Sequence, residues 1–326
     1  VKTLIYMIIT AALASSLAWA DADPVLFSVL LIEPGARQGG FGKAFTGVAD
    51  DATAVYYNAG GLALQEKNSV NVMHEPRGSG DLKDMFYDYV SLTYRFGKFG
   101  TLGAALTYND AGSTDALDEQ GRSLGYKMRS YLVAPTVLWS YPIFPSLGVG
   151  AGITYVYEHL TDENVLQKPL ANAGIFYRSP IKGLNGGVSF NYLGTNDTST
   201  TSGDNDTQVE NSYPPPRNVR LGVSYKVLST DLNDLLATAD GSKLLMNFDD
   251  SLADELGQGV YSGGAEYTYA KMVSVRTGYY WEKAGRIKGL TLGFGFAYHG
   301  FSFDYARVPE GEAFGDRHRF AVGYAF

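Results

Sequence analysis

The chain holds four histidines, His74, His159, His299 and His318, and no cysteine. The histidines lie far apart and fit no metal-ligand spacing, so no metal is expected. Without cysteine there is no thiolate, disulfide or lipidation chemistry. Asp50-Asp51 could pair as carboxylates, but adjacent aspartates ahead of an apolar stretch serve more simply at the start of a helix. The Gly-Gly-Phe-Gly run at 39–42 lacks the Lys-Ser/Thr of a phosphate loop and follows no strand. No nucleophile with a supporting base is found. The expectation is a protein that is not an enzyme and needs no cofactor.

One pair of charges does have a partner set by spacing. Strand 259–269 carries Ala265, Tyr267 and Tyr269 on one face, which leaves Glu266 on the other. Strand 273–282 carries Val273, Val275 and Thr277 on the first face and Arg276 on the second. If Tyr269 pairs with Val273 across a three-residue turn, Glu266 lies directly opposite Arg276. Directly opposite Cβ atoms are about 4.5–5.5 Å apart, so the two should form an ion pair.

The elements that position such a pair show period-two alternation. Phe320, Val322, Tyr324 and Phe326 oppose Arg319, Ala321, Gly323 and Ala325. Leu290, Leu292, Phe294, Phe296 and Tyr298 oppose Thr291, Gly293, Gly295, Ala297 and His299. One face is apolar and ends in aromatics, as a membrane interface requires. The other is rich in Gly, Ala and Ser with a few charges, which suits a lumen better than a solvated sheet face. After residue 20 no run approaches the ~18 apolar residues of a membrane helix. The 24 tyrosines, 39 glycines and mean hydropathy of −0.10 fit a sheet that meets lipid on one face only.

Strands are expected near 69–74, 88–96, 100–109, 130–140, 147–158, 169–178, 184–193, 217–228, 243–249, 259–269, 273–282, 289–298, 301–308 and 316–326. The fold class is therefore all-β, a transmembrane antiparallel β-barrel of about 14 strands. Long polar connections at 110–129 and 194–216 alternate with short turns at 96–98, 141–146, 270–272 and 299–300. Residues 229–242 break this rhythm. Leu232, Leu235, Leu236 and Ala239 recur at helical spacing there, which predicts a short amphipathic helix.

Residues 1–20 read as a signal peptide, with Lys2, an apolar stretch from Leu4 to Leu17, and Ala18-Trp19-Ala20 as the cleavage pattern. The expected location is the bacterial outer membrane. Net charge −8 with no basic block argues against nucleic acid. Residues 21–66 do not alternate. Their glycines break any long helix, although a short one from Asp50 or Asp51 towards Tyr57 is plausible. This segment is too polar for lipid and is expected to plug the lumen ahead of the barrel at 67–326. Arg37, Asp50, Asp51 and Asn58 would then meet lumenal polar groups.

The run GARQGGFGKAFTGVADDATAVYYNAGGLA resembles the amino-terminal signature of the long-chain fatty-acid transporter (FadL-like) superfamily. More closely it resembles the PorV/PorQ family within that superfamily. GAEYTYAKMVSVRTGY and FDYARVPEGEAFGDRHRFAVGYAF resemble that family's last strands. The usual pattern has proline after the asparagine, whereas Ala59 and Gly60 follow Asn58 here. The resemblance implies a plugged barrel. For PorV-like members it implies a part in type IX secretion, with secreted protein cargo or a larger translocon barrel as partner. For FadL-like members it implies uptake of hydrophobic small molecules. Phe326, on an alternating aromatic strand, looks like a recognition signal for the barrel-assembly machinery. Outer-membrane lipid is the remaining expected partner.

Overall fold

Seen from outside, the wall is a band of large apolar side chains that no water-soluble protein would expose together. The computed structural model describes residues 25–78, 84–117, 122–161, 164–202, 208–245, 259–282, 287–311 and 315–326. The expected signal peptide at 1–20 lies outside these residues. The strands are β1 (Ser69–Pro76), β2 (Phe86–Arg95), β3 (Thr101–Leu117), β4 (Ser123–Phe144), β5 (Leu147–Thr161), β6 (Asn164–Arg178), β7 (Leu184–Leu193), β8 (Asp197–Ser202), β9 (Gln208–Tyr213), β10 (Asn218–Ser229), β11 (Asn233–Leu244), β12 (Val260–Tyr269), β13 (Val273–Glu282), β14 (Ile287–Tyr298), β15 (Phe301–Pro309) and β16 (Asp316–Ala325). Fourteen of them form one closed antiparallel barrel, shut by pairing of β1 with β16, while β8 and β9 form a separate two-stranded sheet. Closure satisfies every sheet edge, which a barrel in hydrocarbon needs because no water is there to do so. Among the described residues no helix is long and apolar enough to cross a membrane, so any crossing is made by strands.

Alternation fixes which face is outside. In β13, Val275, Tyr279 and Trp281 are exposed, while Ser274, Arg276 and Tyr280 are buried. In β14, Leu290, Leu292, Phe294, Phe296 and Tyr298 are all exposed, and Thr291 is buried. A register slip of one residue would turn every apolar side chain into the lumen, so the pairing is strongly specified.

The strand count agrees with the sequence reading, but the ninth barrel strand lies elsewhere. The predicted helix at 229–242 is the strand β11, which ends at Leu244, and residues 246–249 of the strand expected at 243–249 lie outside the described residues. β11 pairs with both β10 and β12, from Asn218↔Leu244 to Asn233↔Tyr269. Its inward Thr238 and Asp240 are buried, and Ala239 between them is exposed. Leu235 and Leu236 therefore point to opposite faces, so their helical spacing is incidental. The correction restores the short-turn rhythm, with 230–232 becoming a turn. The expected loop 110–129 is also largely strand, because β3 and β4 extend their hairpin to Leu117 and Ser123. Within the expected loop 194–216 lies the β8–β9 hairpin.

The connections after β2, β4, β6, β10, β12 and β14 lie at one end of the barrel, here called the turn side, and those after β1, β3, β5, β7, β11, β13 and β15 lie at the other, the loop side.

Candidate functional site: the lumenal plug

The chain from Phe27 to Leu64 runs inside the barrel, and most of its residues are buried. It contains three short helices, α1 (Ala36–Gly40), α2 (Ala54–Tyr57) and α3 (Ala59–Leu62). The helix expected from Asp50 or Asp51 begins only at Ala54, since Asp51 Oδ1 instead accepts from the Thr53 N–H at 2.8 Å. α1 packs on β13 to β16, and α3 on β3 to β7, so the two together span the lumen. Phe41, Phe45, Tyr57 and Leu62 are fully buried. Phe45 meets Tyr57 edge-on at 5.3 Å between centroids.

Backbone approach to the wall is close enough to demand glycine. A Cβ added at Gly278 would lie 2.3 Å from the Gly42 nitrogen, and one at Gly222 would lie 2.6 Å from the Gly47 nitrogen. One at Gly174 would lie 2.3 Å from Asn58 Oδ1. The small-residue face visible in the sequence is thus a socket shaped to the plug.

Polar contacts fasten the plug towards the turn side. Arg37 donates to Glu266 from Nε at 3.0 Å and from Nη2 at 2.9 Å. The same guanidinium donates to Asp50 at 2.6 Å and Asp51 at 3.1 Å. On the wall, Glu266 stands directly across from Arg276 and accepts from its Nε at 2.6 Å. Arg276 Nη1 donates to Asp304 at 2.7 Å. Burial opposes the charge on Arg37, but Asp50, Glu266 and Asp51 outweigh it and hold its pKa above the ordinary value. Arg37 is therefore the link between plug and wall, while Asp50 and Asp51 serve it from within the plug. Asn58 donates to the Thr46 carbonyl at 3.1 Å and to the wall carbonyl of Ile175 at 3.0 Å. Its Oδ1 accepts from the Gly60 N–H at 3.0 Å, which caps α3. Ala59 in place of proline leaves that turn intact. Phe326 is half exposed beyond β16 and pairs with Asn68 at 2.9 Å, stacking on Tyr324.

A second clamp, towards the loop side, was not anticipated from the sequence. Glu33 accepts from Arg220 at 2.5 Å and faces Lys43 at 3.6 Å. Fully buried Arg319 donates to the Glu33 carbonyl at 2.7 Å and to Glu310 at 3.2 Å, and also bonds Glu75. Arg77 joins Glu75 at 2.7 Å to Glu310 at 2.9 Å. The available signal was that Arg319 falls on the inward face of its strand. Of its partners, Glu310 is nine positions away just past β15, while Glu33 and Glu75 lie 286 and 244 positions away and left no local signal.

The architecture has solved counterparts. The toluene transporter TodX of Pseudomonas putida superposes with a TM-score of 0.56 at 11% identity, covering 90% of this chain and 97% of TodX. The ΔS2 mutant of the TodX monoaromatic hydrocarbon channel superposes with a TM-score of 0.57 at 12% identity, again covering 90% and 97%. At such identity the likeness establishes the fold. Residues 9–159 match the model of an uncharacterised protein family (UPF0164). No curated protein sequence matches the chain.

Among the spaces beside the plug, two open towards the barrel ends. On the turn side a vestibule of about 590 Å³ opens onto Arg37, Asp51, Glu266, Arg276 and Asp304. On the loop side a cavity of about 70 Å³ is lined by Leu31, Ile32, Leu244, Val260 and Ile287 together with the cations Lys43, Arg77, Arg220 and Lys243 and the carboxylates Glu33, Glu282 and Glu310. Among the described residues no group of three His, Asp or Glu side chains is placed to share a metal ion.

Proposed function

We propose that this protein is a non-enzymatic outer-membrane channel for hydrophobic small molecules, closed in this state by its N-terminal segment. The observation that carries the reading is the plug itself. A segment held by ion pairs at both ends and seated on a glycine socket occupies the lumen between the vestibule and the loop-side cavity. Such a barrel suits solutes that partition into apolar surfaces rather than ions or sugars. The loop-side cavity, where apolar side chains stand among ion-paired charges, is the proposed entrance. The architectural likeness to TodX, a toluene transporter, supports the same class of solute. The test is uptake by cells producing the protein. Radiolabelled toluene should accumulate faster than in cells carrying an empty vector, while a small sugar should not. Equal toluene accumulation would overturn the reading.

The resemblance of both chain ends to the PorV/PorQ family favours a second reading. In it the lumen stays shut, and the loops and rim bind exported proteins or a translocon barrel. Pull-down from native outer membranes separates the two, since a stable protein partner without toluene uptake fits only the second.

A further inference from the structure

The turn-side rim is chemically unlike the rest of this acidic chain. Four of its turns are neighbours around the barrel, joining β2 to β3, β4 to β5, β6 to β7 and β10 to β11. Each carries a protruding apolar side chain. Phe99 is 67% exposed, Phe144 60%, Ile181 60% and Leu232 53%. These residues lie in or beside the turns, at the very end of the lipid-facing wall.

Cations surround them. Arg95, Lys98, Arg178, Lys182 and Lys226 are all exposed along this arc, and Lys67 and Lys271 continue the rim. Against these seven, among the described residues, stand Glu66, Asp231 and Asp234 on the turns, with half-exposed Asp50 inside the mouth paired to Arg37, in a chain whose net charge is −8. The two arginines bond backbone carbonyls. Arg95 donates to the Glu66 backbone carbonyl at 2.6 Å, and Arg178 to that of Leu64 at 2.5 Å. Lys98 lies 5.4 Å from the Phe99 ring centre, so one turn presents charge and apolar surface together.

An apolar tip flanked by long basic side chains matches a membrane interface. The tip enters the acyl boundary, and the amine reaches the phosphate layer. We propose that the turn-side arc from β2 to β11 binds anionic phospholipid headgroups, with Lys98, Lys182 and Lys226 contacting their phosphates. The net positive charge argues for anionic over zwitterionic lipid, because only the former adds attraction beyond apolar burial. The inference stands whether the lumen carries solutes or stays shut.

Trp139, exposed on β4 and stacked on Phe96 at 5.6 Å, is a reporter beside the arc. Trp281, near the loop side, is the control. The protein would be reconstituted in phosphatidylcholine vesicles containing phosphatidylglycerol, with either lipid brominated. Single-tryptophan variants, Trp19→Phe/Trp281→Phe and Trp19→Phe/Trp139→Phe, would report each end. One well-placed cation near an anionic surface is worth roughly a fivefold preference. Brominated phosphatidylglycerol should therefore quench Trp139 with about that preference over brominated phosphatidylcholine, and should quench Trp281 with none. In Lys98→Gln/Lys182→Gln/Lys226→Gln the preference at Trp139 should vanish while heat-modifiable migration on gels is unchanged. Equal quenching by both lipids in the parent protein would overturn the proposal. So would a preference that survives in the folded triple variant, or one abolished by inorganic phosphate, which would mean a free-phosphate site.

Discussion

Arg276→Ala tests whether the lumenal charges are shared as the geometry states. The guanidinium donates to Glu266 at 2.6 Å and to Asp304 at 2.7 Å, so its loss affects two acids. They are affected unequally. Glu266 keeps Arg37 at 2.9 and 3.0 Å, whereas among the described residues no other side chain hydrogen-bonds Asp304. Breaking a buried pair by removing one partner costs about 3–5 kcal/mol. The vestibule opens onto Asp304 and lets water reach it, so the expected loss is nearer about 2–3 kcal/mol. The assay is reversible urea unfolding of the barrel in lipid vesicles, followed by tryptophan fluorescence. Arg276→Ala/Asp304→Asn should recover about half of the loss, because it removes the stranded charge. Arg276→Ala/Glu266→Gln should recover nothing and fall further, because Arg37 then loses its wall partner. Rescue by Glu266→Gln without rescue by Asp304→Asn would refute the reasoning.

Three further outcomes follow from the plug's contacts. Gly278→Val places a side chain against the Gly42 backbone, where even a Cβ would lie at 2.3 Å. The folded fraction should show raised ion conductance in planar bilayers, and unchanged conductance would contradict a socket that close. Asn58→Ala strands the Thr46 and Ile175 carbonyls and should lower unfolding stability by about 1–3 kcal/mol. Arg319→Lys keeps the charge but loses the fork that reaches Glu75, Glu310 and the Glu33 carbonyl, and should cost about 2–4 kcal/mol in the same assay.

The strands legible in the sequence were those with large outward side chains. β13, β14 and β16 alternate Phe, Tyr, Trp, Leu and Val against small or charged residues, because lipid and lumen impose opposite demands on successive positions. β11 was missed for a physical reason. Beyond Leu235 its outward face is Ala237, Ala239 and Gly241, too small to signal lipid contact, while Leu236 points inward towards the buried core. With the period-two signal muted, the chance spacing of its leucines looked helical. The site divides in the same way. The Glu266–Arg276 geometry follows from a local hairpin, whose turn fixes the register. Arg37 meets Glu266 across 229 positions, and Arg319 meets Glu33 across 286. Such contacts exist only once the barrel closes around the plug, and no local pattern encodes them.

The measurement that bears most directly on a plug-closed lumen is solute flux through a variant lacking residues 35–62. The variant would first be shown to fold by its heat-modifiable migration on gels. In proteoliposome swelling with a small sugar, the intact protein should be as tight as protein-free vesicles. The deletion variant should admit the sugar at a rate typical of an open pore. If the folded deletion variant is as tight as the intact protein, the N-terminal segment does not close the barrel. The account of the lumen would then be wrong.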